Sequence, residues 1–199
     1  MKVQNLVLAG MFAALTAIGA FIKVPIPFVP FTFQFFFVLL AGSLLGSRTG
    51  MLSQLGYIIT GLLGIPIFAY GGGPAYILQP TFGYLLGYIC TAYFVGRLTE
   101  RNPAPSFSNF LRANLLGVII TYFFGVTYLY GIINLVLEQA LTFKDALWFG
   151  AIVCSPGDIL LSLVAARVSV KILKSLPNLR QNESLIVEQG IHQITENRR

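Results

Sequence analysis

Between Arg48 and Arg97 the chain runs from Thr49 to Gly96, 48 residues, without one charged side chain. One membrane-spanning helix needs roughly 20 apolar residues, so a gap of this length holds two spans and a connection. A second gap runs from Val24 to Ser47 and a third from Ala113 to Leu137, while a fourth, from Ala146 to Ala166, is broken only by Asp158. With the apolar run from Leu6 to Ile22, six spans are predicted, over residues 4–22, 31–46, 50–67, 81–98, 111–135 and 157–174. Only 10% of the residues are charged and 56% are hydrophobic, against about 25% charged in a soluble domain, so a water-exposed surface is excluded. Unbroken apolar runs lack the alternation of barrel strands. The reading is an all-α membrane protein of six transmembrane helices, residues 1–176, followed by a polar cytoplasmic tail, 177–199.

Six spans place both termini on one side. That side receives Lys2, Arg48, Arg97, Arg101, Arg112, Arg167, Lys171 and Lys174, and the other only Lys23 and Lys144. The excess of basic residues puts both termini in the cytoplasm. The net charge of +6 is largely this topology signal, and no nucleic-acid partner is implied. The first apolar run reads as a retained helix and not as a cleaved signal.

Catalytic constellations are not evident. HExxH, GxSxG and Walker patterns are missing from the sequence, as is any carboxylate pair within the apolar region. No enzyme activity, cofactor or metal site is expected. Energy for any uphill transport would have to come from another protein. Cys90 and Cys154 read as soft packing residues, and His192, in the polar tail, as a solvated side chain.

Four polar or irregular features remain. The segment KVPIPFVPFT, Lys23 to Thr32, has three prolines that forbid a regular helix and make either an ordinary connection or a lid. Gly64 to Gly83 reads GIPIFAYGGGPAYILQPTFG, whose glycines either serve a tight turn or bring backbone amides close to a ligand. Asp158, behind Ser155-Pro156-Gly157, either caps a helix start or offers a carboxylate to a polar solute. Ala9, Ala13 and Ala17 make a stripe of small residues for close helix packing, within the chain or against a partner.

Taken together, VPFTFQFFFVLLAGSLLGSRTGMLSQLGYIITGLLGIPIFA from Val29 to Ala69, the GGG loop followed by PTFGYLLGY, and SPGD before the last helix resemble the BioY family, the biotin-specific S components of energy-coupling factor (ECF) vitamin transporters. The resemblance extends from the first helix to about Leu176. It implies a six-helix substrate-capturing subunit of the plasma membrane of a prokaryote. Such a subunit binds biotin in an outward-facing pocket and works with a transmembrane coupling protein and two cytoplasmic ATPases. It also implies that Asp158 receives the ring N–H groups of biotin, that the loop at Gly71, Gly72 and Gly73 closes over the ligand, and that Ala9, Ala13 and Ala17 dock the coupling protein. Gln34, Tyr70, Gln79 and Tyr84 complete the candidate substrate-binding set. Where family members often carry GPTGGY, this chain has Gln79-Pro80-Thr81-Phe82-Gly83-Tyr84, and Leu85 and Leu161 stand where an arginine and a lysine can occur. The ligand carboxylate is thereby left to loop amides, to Lys23 or to water. Competing readings are an S component for lipoate, a membrane enzyme acting on lipid, and a solitary passive carrier.

Overall fold

The computed structural model describes residues 3–101 and 105–176. Lys2 and the tail 177–199, with His192, lie outside the described residues.

The chain forms α1 (Val3–Phe21), α2 (Gln34–Leu62), α3 (Phe82–Glu100), α4 (Phe107–Leu135), α5 (Phe143–Leu147) and α6 (Ser155–Ser175). A short 3₁₀ turn, Pro74–Leu78, precedes α3, and a π turn, Trp148–Ile152, joins α5 to α6. The all-α expectation needs one amendment, because Lys23–Val24 and Phe31–Thr32 pair as a two-stranded antiparallel ribbon. Pro25, Pro27 and Pro30 fall between those strands, where no ladder hydrogen bond is lost. Four stretches among the described residues are long and apolar enough to cross a membrane: Val3–Phe21, Gln34–Leu62, Phe107–Leu135 and Phe143–Ser175. Helix α3 is as long as α1 but carries more hydroxyls and glycines.

The expected spans 31–46 and 50–67 both fall on α2, which is folded back on itself. A straight helix would hold Gln34 and Tyr57 about 35 Å apart, yet the Gln34 amide donates to the Tyr57 hydroxyl at 2.5 Å. The reversal occurs at Gly46, with φ 83° and ψ −179°, a conformation essentially confined to glycine. It needs no separate loop. Glu100, at the end of α3, secures the turn by accepting hydrogen bonds from the Ser47 amide at 2.5 Å and the Ser47 hydroxyl at 3.0 Å. A carboxylate at the first free amide of the second arm also complements the helix dipole. The second arm stops at Leu62, short of the expected 67, because Gly64 turns the chain and Pro66 cannot continue a helix.

The stretch between 135 and 157, expected as a plain connection, builds α5 and the π turn instead. Thr142 accepts the Asp145 amide at 3.1 Å while its hydroxyl donates to the Asp145 carboxylate at 2.6 Å, which starts α5.

Helix α2 lies against α1 and α3, α3 against α4, and α6 against both α2 and α4. The core follows this order, with Val38, Leu39 and Ala41 of α2, Ala92 and Val95 of α3, and Leu129 of α4 buried. Leu115, Ile119 and Phe123 form an exposed stripe on α4, four residues apart, as expected of a lipid-facing surface.

Replacing Gly46 with alanine forces a Cβ into a glycine-only conformation. We expect a loss of about 1–3 kcal/mol, read as a lower melting temperature of the detergent-solubilised protein, whereas alanine at Gly10, inside α1 where a Cβ meets nothing within 4 Å, does not lower it.

Candidate functional site

A cavity opens at the end of the bundle away from Gly46, leaving about 40 Å³ for the centres of water molecules. The ribbon contributes Phe31 and Thr32, α2 its first residues Gln34 and Phe35, α3 Tyr84, Leu85 and Tyr88, α4 Thr121 and Tyr122, and α6 Asp158. The wall is rich in hydroxyls. Asp158 is the acid among its described residues, and none of them is basic.

Close backbone approach makes room for these side chains. A Cβ on Gly125 would lie 2.3 Å from the Tyr84 ring, so the missing side chain admits that ring between α3 and α4. The Tyr84 hydroxyl then donates to the Gly150 carbonyl at 2.7 Å. Gly150 belongs to the π turn, and such turns free a carbonyl from the regular helical ladder.

Asp158 sits one turn into α6 and is 8% exposed. Its carboxylate does not cap the helix. Instead Oδ2 accepts the Tyr122 hydroxyl at 2.5 Å. Oδ1 has no hydrogen-bond partner in the described structure, and so remains an acceptor on a cavity-lining residue. The backbone beneath is fixed by Ser162, whose hydroxyl donates to the Asp158 carbonyl at 2.7 Å, and by Asn114, which donates to the Ser162 carbonyl at 3.0 Å.

A second polar chain starts from the lining residues Thr32 and Gln34. Thr32 donates to the Gln34 side-chain oxygen at 3.0 Å, Gln34 to Tyr57, and Tyr57 to the Ile67 carbonyl at 3.0 Å. The Tyr76 hydroxyl shares a 3.0 Å hydrogen bond with Thr81. Burial pushes the Tyr76 hydroxyl above its ordinary pKa, so it stays neutral at physiological pH.

The structure therefore brings Asp158, Gln34 and Tyr84 together in one wall. Tyr70 is half exposed, Gln79 is exposed, and neither Gly71, Gly72 nor Gly73 lines the cavity. The loop spends two glycine amides on itself: Gly71 donates to the Phe68 carbonyl at 3.2 Å and Gly73 to the Gly61 carbonyl at 2.8 Å. Gly71 and Gly73 have φ of 111° and 99°, so they serve the turn directly. The loop is anchored by Phe68, 1% exposed, whose ring fills the space a side chain on Gly61 would need and meets Tyr57 and Tyr76 at centroid distances of 5.3 and 4.5 Å. At the rim, Lys23 donates to the Ala69 carbonyl at 2.6 Å and lies 4.8 Å from the centre of the Tyr70 ring.

Tyr88, Tyr122, Thr32, Thr121 and Cys154 were not among the expected site residues. Tyr84 and Tyr88 are one helical turn apart, a pairing visible in the sequence. Nothing in the sequence singled out Tyr122, since α4 carries several tyrosines and only packing turns this one to Asp158. Cys154, read as a packing thiol, is buried and lines the cavity. Of the alanine stripe, Ala9 is buried, while Ala13 and Ala17 are partly buried against the chain's own core.

Long apolar helices closing around a hydroxyl-rich cavity, with one buried acid and a loop across its rim, define a membrane protein built to hold a small polar solute. The model of the BioY family matches residues 1–178, and the chain belongs to that family. A probable biotin transporter BioY of Lysinibacillus sphaericus is 42% identical over 184 residues, covering 92% of this chain and 94% of that protein. The biotin transporter BioY of Thermotoga maritima is 34% identical over 173 residues, covering 86% and 96%. Among solved structures, the S-component for biotin from an ECF-type ABC transporter aligns with a TM-score of 0.75 at 26% identity, covering 87% of this chain and 92% of that one. The fold is thus that of an S component, and the relatives are named as transporters and not as enzymes.

Removing the Phe68 ring should free the loop. Phe→Ala in a packed site costs about 3–5 kcal/mol, and for Phe68→Ala we expect faster hydrogen exchange at the Gly71 and Gly73 amides. Unchanged exchange there would show that the loop is held by its backbone bonds alone.

Proposed function

We infer that this chain is the substrate-capturing subunit of a vitamin uptake transporter, holding biotin in the cavity beside Asp158 and passing it on with an ATP-driven ECF motor. The observation that supports this most directly is the Asp158 carboxylate. One oxygen is engaged by Tyr122 and the other is left to accept from a ligand at a nearly dry wall. Biotin carries ring N–H groups that suit such an acceptor. Lipoate has a dithiolane ring without N–H donors, so it would leave the second Asp158 oxygen buried without a donor, which is costly. Tyr84, Tyr88 and Gln34 supply further polar surface.

In this reading the two arms of α2 cross the bilayer separately. With α1, α3, α4 and α6 they make six crossings, with both termini in the cytoplasm of a prokaryotic cell and the cavity facing outward. Arg48, Arg97, Arg101, Arg112, Arg167, Lys171 and Lys174 then share the cytoplasmic side, in line with the positive-inside rule. Residues 177–199 form the polar cytoplasmic tail. The motor partners are a transmembrane coupling protein and two cytoplasmic ATPases. Ala13 and Ala17 retain the exposure that docking requires, whereas Ala9 is taken up by the chain's own core. Of the candidate loop residues, Tyr70, Gly71, Gly72, Gly73 and Gln79 would act by shaping the cover over the ligand.

Calorimetry of the purified chain against biotin, lipoate and riboflavin tests the ligand. Biotin alone should bind tightly. Asp158→Asn sets a donor against the ligand's own donors, and losing a hydrogen bond to a charged group costs about 1.5–3 kcal/mol, or roughly 10- to 150-fold in affinity. Full affinity in that variant would remove Asp158 from the site.

The docking proposal separates capture from transport. Ala13→Leu and Ala17→Trp add bulk where backbones must approach, and overpacking costs about 1–3 kcal/mol. The isolated variants should bind biotin as the parent does, while cellular uptake and co-purification with the coupling protein are lost. Normal uptake would show that the coupling protein docks elsewhere.

A further inference from the structure

The cavity wall holds an acid and no described base. A ligand such as biotin also brings a carboxylate, and burying it beside an acid with no cation to offset it is unfavourable. The anionic end must therefore lie away from Asp158 and towards a cation. Lys144, one of the two basic residues expected at this end, is exposed on α5, which contributes nothing to the wall. Lys23 is placed differently. The ribbon register sets it directly across from Thr32, and directly opposed residues of an antiparallel pair project from the same face. Thr32 lines the cavity and bonds Gln34. The Lys23 ammonium then reaches the carbonyl of Ala69, another lining residue, at 2.6 Å, and rests on the Tyr70 ring at 4.8 Å. Both partners are uncharged, and an ammonium has three donors, so a carboxylate arriving at the rim finds a cation already positioned and only partly used.

We propose that Lys23 receives the anionic end of the ligand. This rests on the reading of the cavity as a biotin site. The arrangement assigns specificity for an acid to the rim and recognition of N–H groups to Asp158 at the wall. It also gives the ribbon and the glycine loop a common partner, because Lys23 and its carbonyl acceptor Ala69 belong to the two segments that meet over the cavity.

The test compares biotin with biotinamide, its neutral carboxamide, on the purified parent and on Lys23→Gln and Lys23→Arg. The parent should prefer biotin by about 2- to 5-fold, less than for a fully buried charged pair because the rim is exposed. Lys23→Gln should lose that factor for biotin and bind biotinamide as the parent does, and Lys23→Arg should keep the preference. Equal weakening of both ligands would make Lys23 a loop tether only, and a preference surviving in Lys23→Gln would place the carboxylate elsewhere; either result overturns the proposal. Should Lys23→Gln fail to fold, the parent decides: its preference must exist and shrink as salt is raised. A parent that binds neither ligand overturns the reading of the cavity, and this proposal with it, a result distinct from a loss confined to biotin.

Discussion

Contact between backbones, made where glycine removes the side chain between them, governs the geometry of this bundle. A Cβ on Gly42 would sit 2.6 Å from the Ala92 carbonyl, and one on Gly96 would sit 2.4 Å from the Ser47 nitrogen. Those two contacts press α3 against both arms of α2. Gly83 and Gly87 do the same between α3 and α4, where notional Cβ atoms meet Tyr128 and Thr121. In a membrane, association between helices depends on this packing, because lipid is as apolar as the helix surface. Tight joints in the middle leave the aromatic rings of Tyr84 and Tyr88 to gather at one end, and the cavity lies among them.

Polar groups inside the bundle follow from the same closeness. Without bulk water, a buried donor must find its acceptor within the protein, on its own helix or a neighbouring one. Thr91 bonds Thr121 at 2.8 Å and the Gly117 carbonyl at 3.0 Å, tying α3 to α4. Asn114 bonds the Ser162 carbonyl and accepts from Ser43 at 3.4 Å, tying α4 to α6 and to the first arm of α2. Ser162 in turn holds the backbone of Asp158. The acid at the cavity wall is thus positioned by Ser162, Asn114 and Ser43, none of which lines the cavity itself.

Much of the architecture was legible. Charge gaps located the apolar helices, since a buried charge in lipid is too costly to be tolerated casually. Asp158 stood out for the same reason, and Gln34 and Tyr84 joined it in the wall. The glycine loop was recognised as special, but its glycines shape a turn around Phe68 while their neighbours Ala69 and Tyr76 reach the cavity. The ribbon, α5 and the π turn were missed. Two-residue strands carry no periodicity, and a five-residue helix is visible only through its Thr142–Asp145 cap.

What the sequence by itself determined was a membrane-embedded helical chain, its family motifs and the rarity of its intramembrane acid, because each depends on local composition or on residues in fixed order. Tertiary structure decided whether Asp158 caps its helix or faces a cavity, which tyrosine of α4 meets it, and that Lys23 spans from the ribbon to the glycine loop. Those outcomes depend on contacts between residues 36 and 46 positions apart. They are fixed only when helices pack at particular rotations and depths, a property of the whole bundle that no single segment encodes.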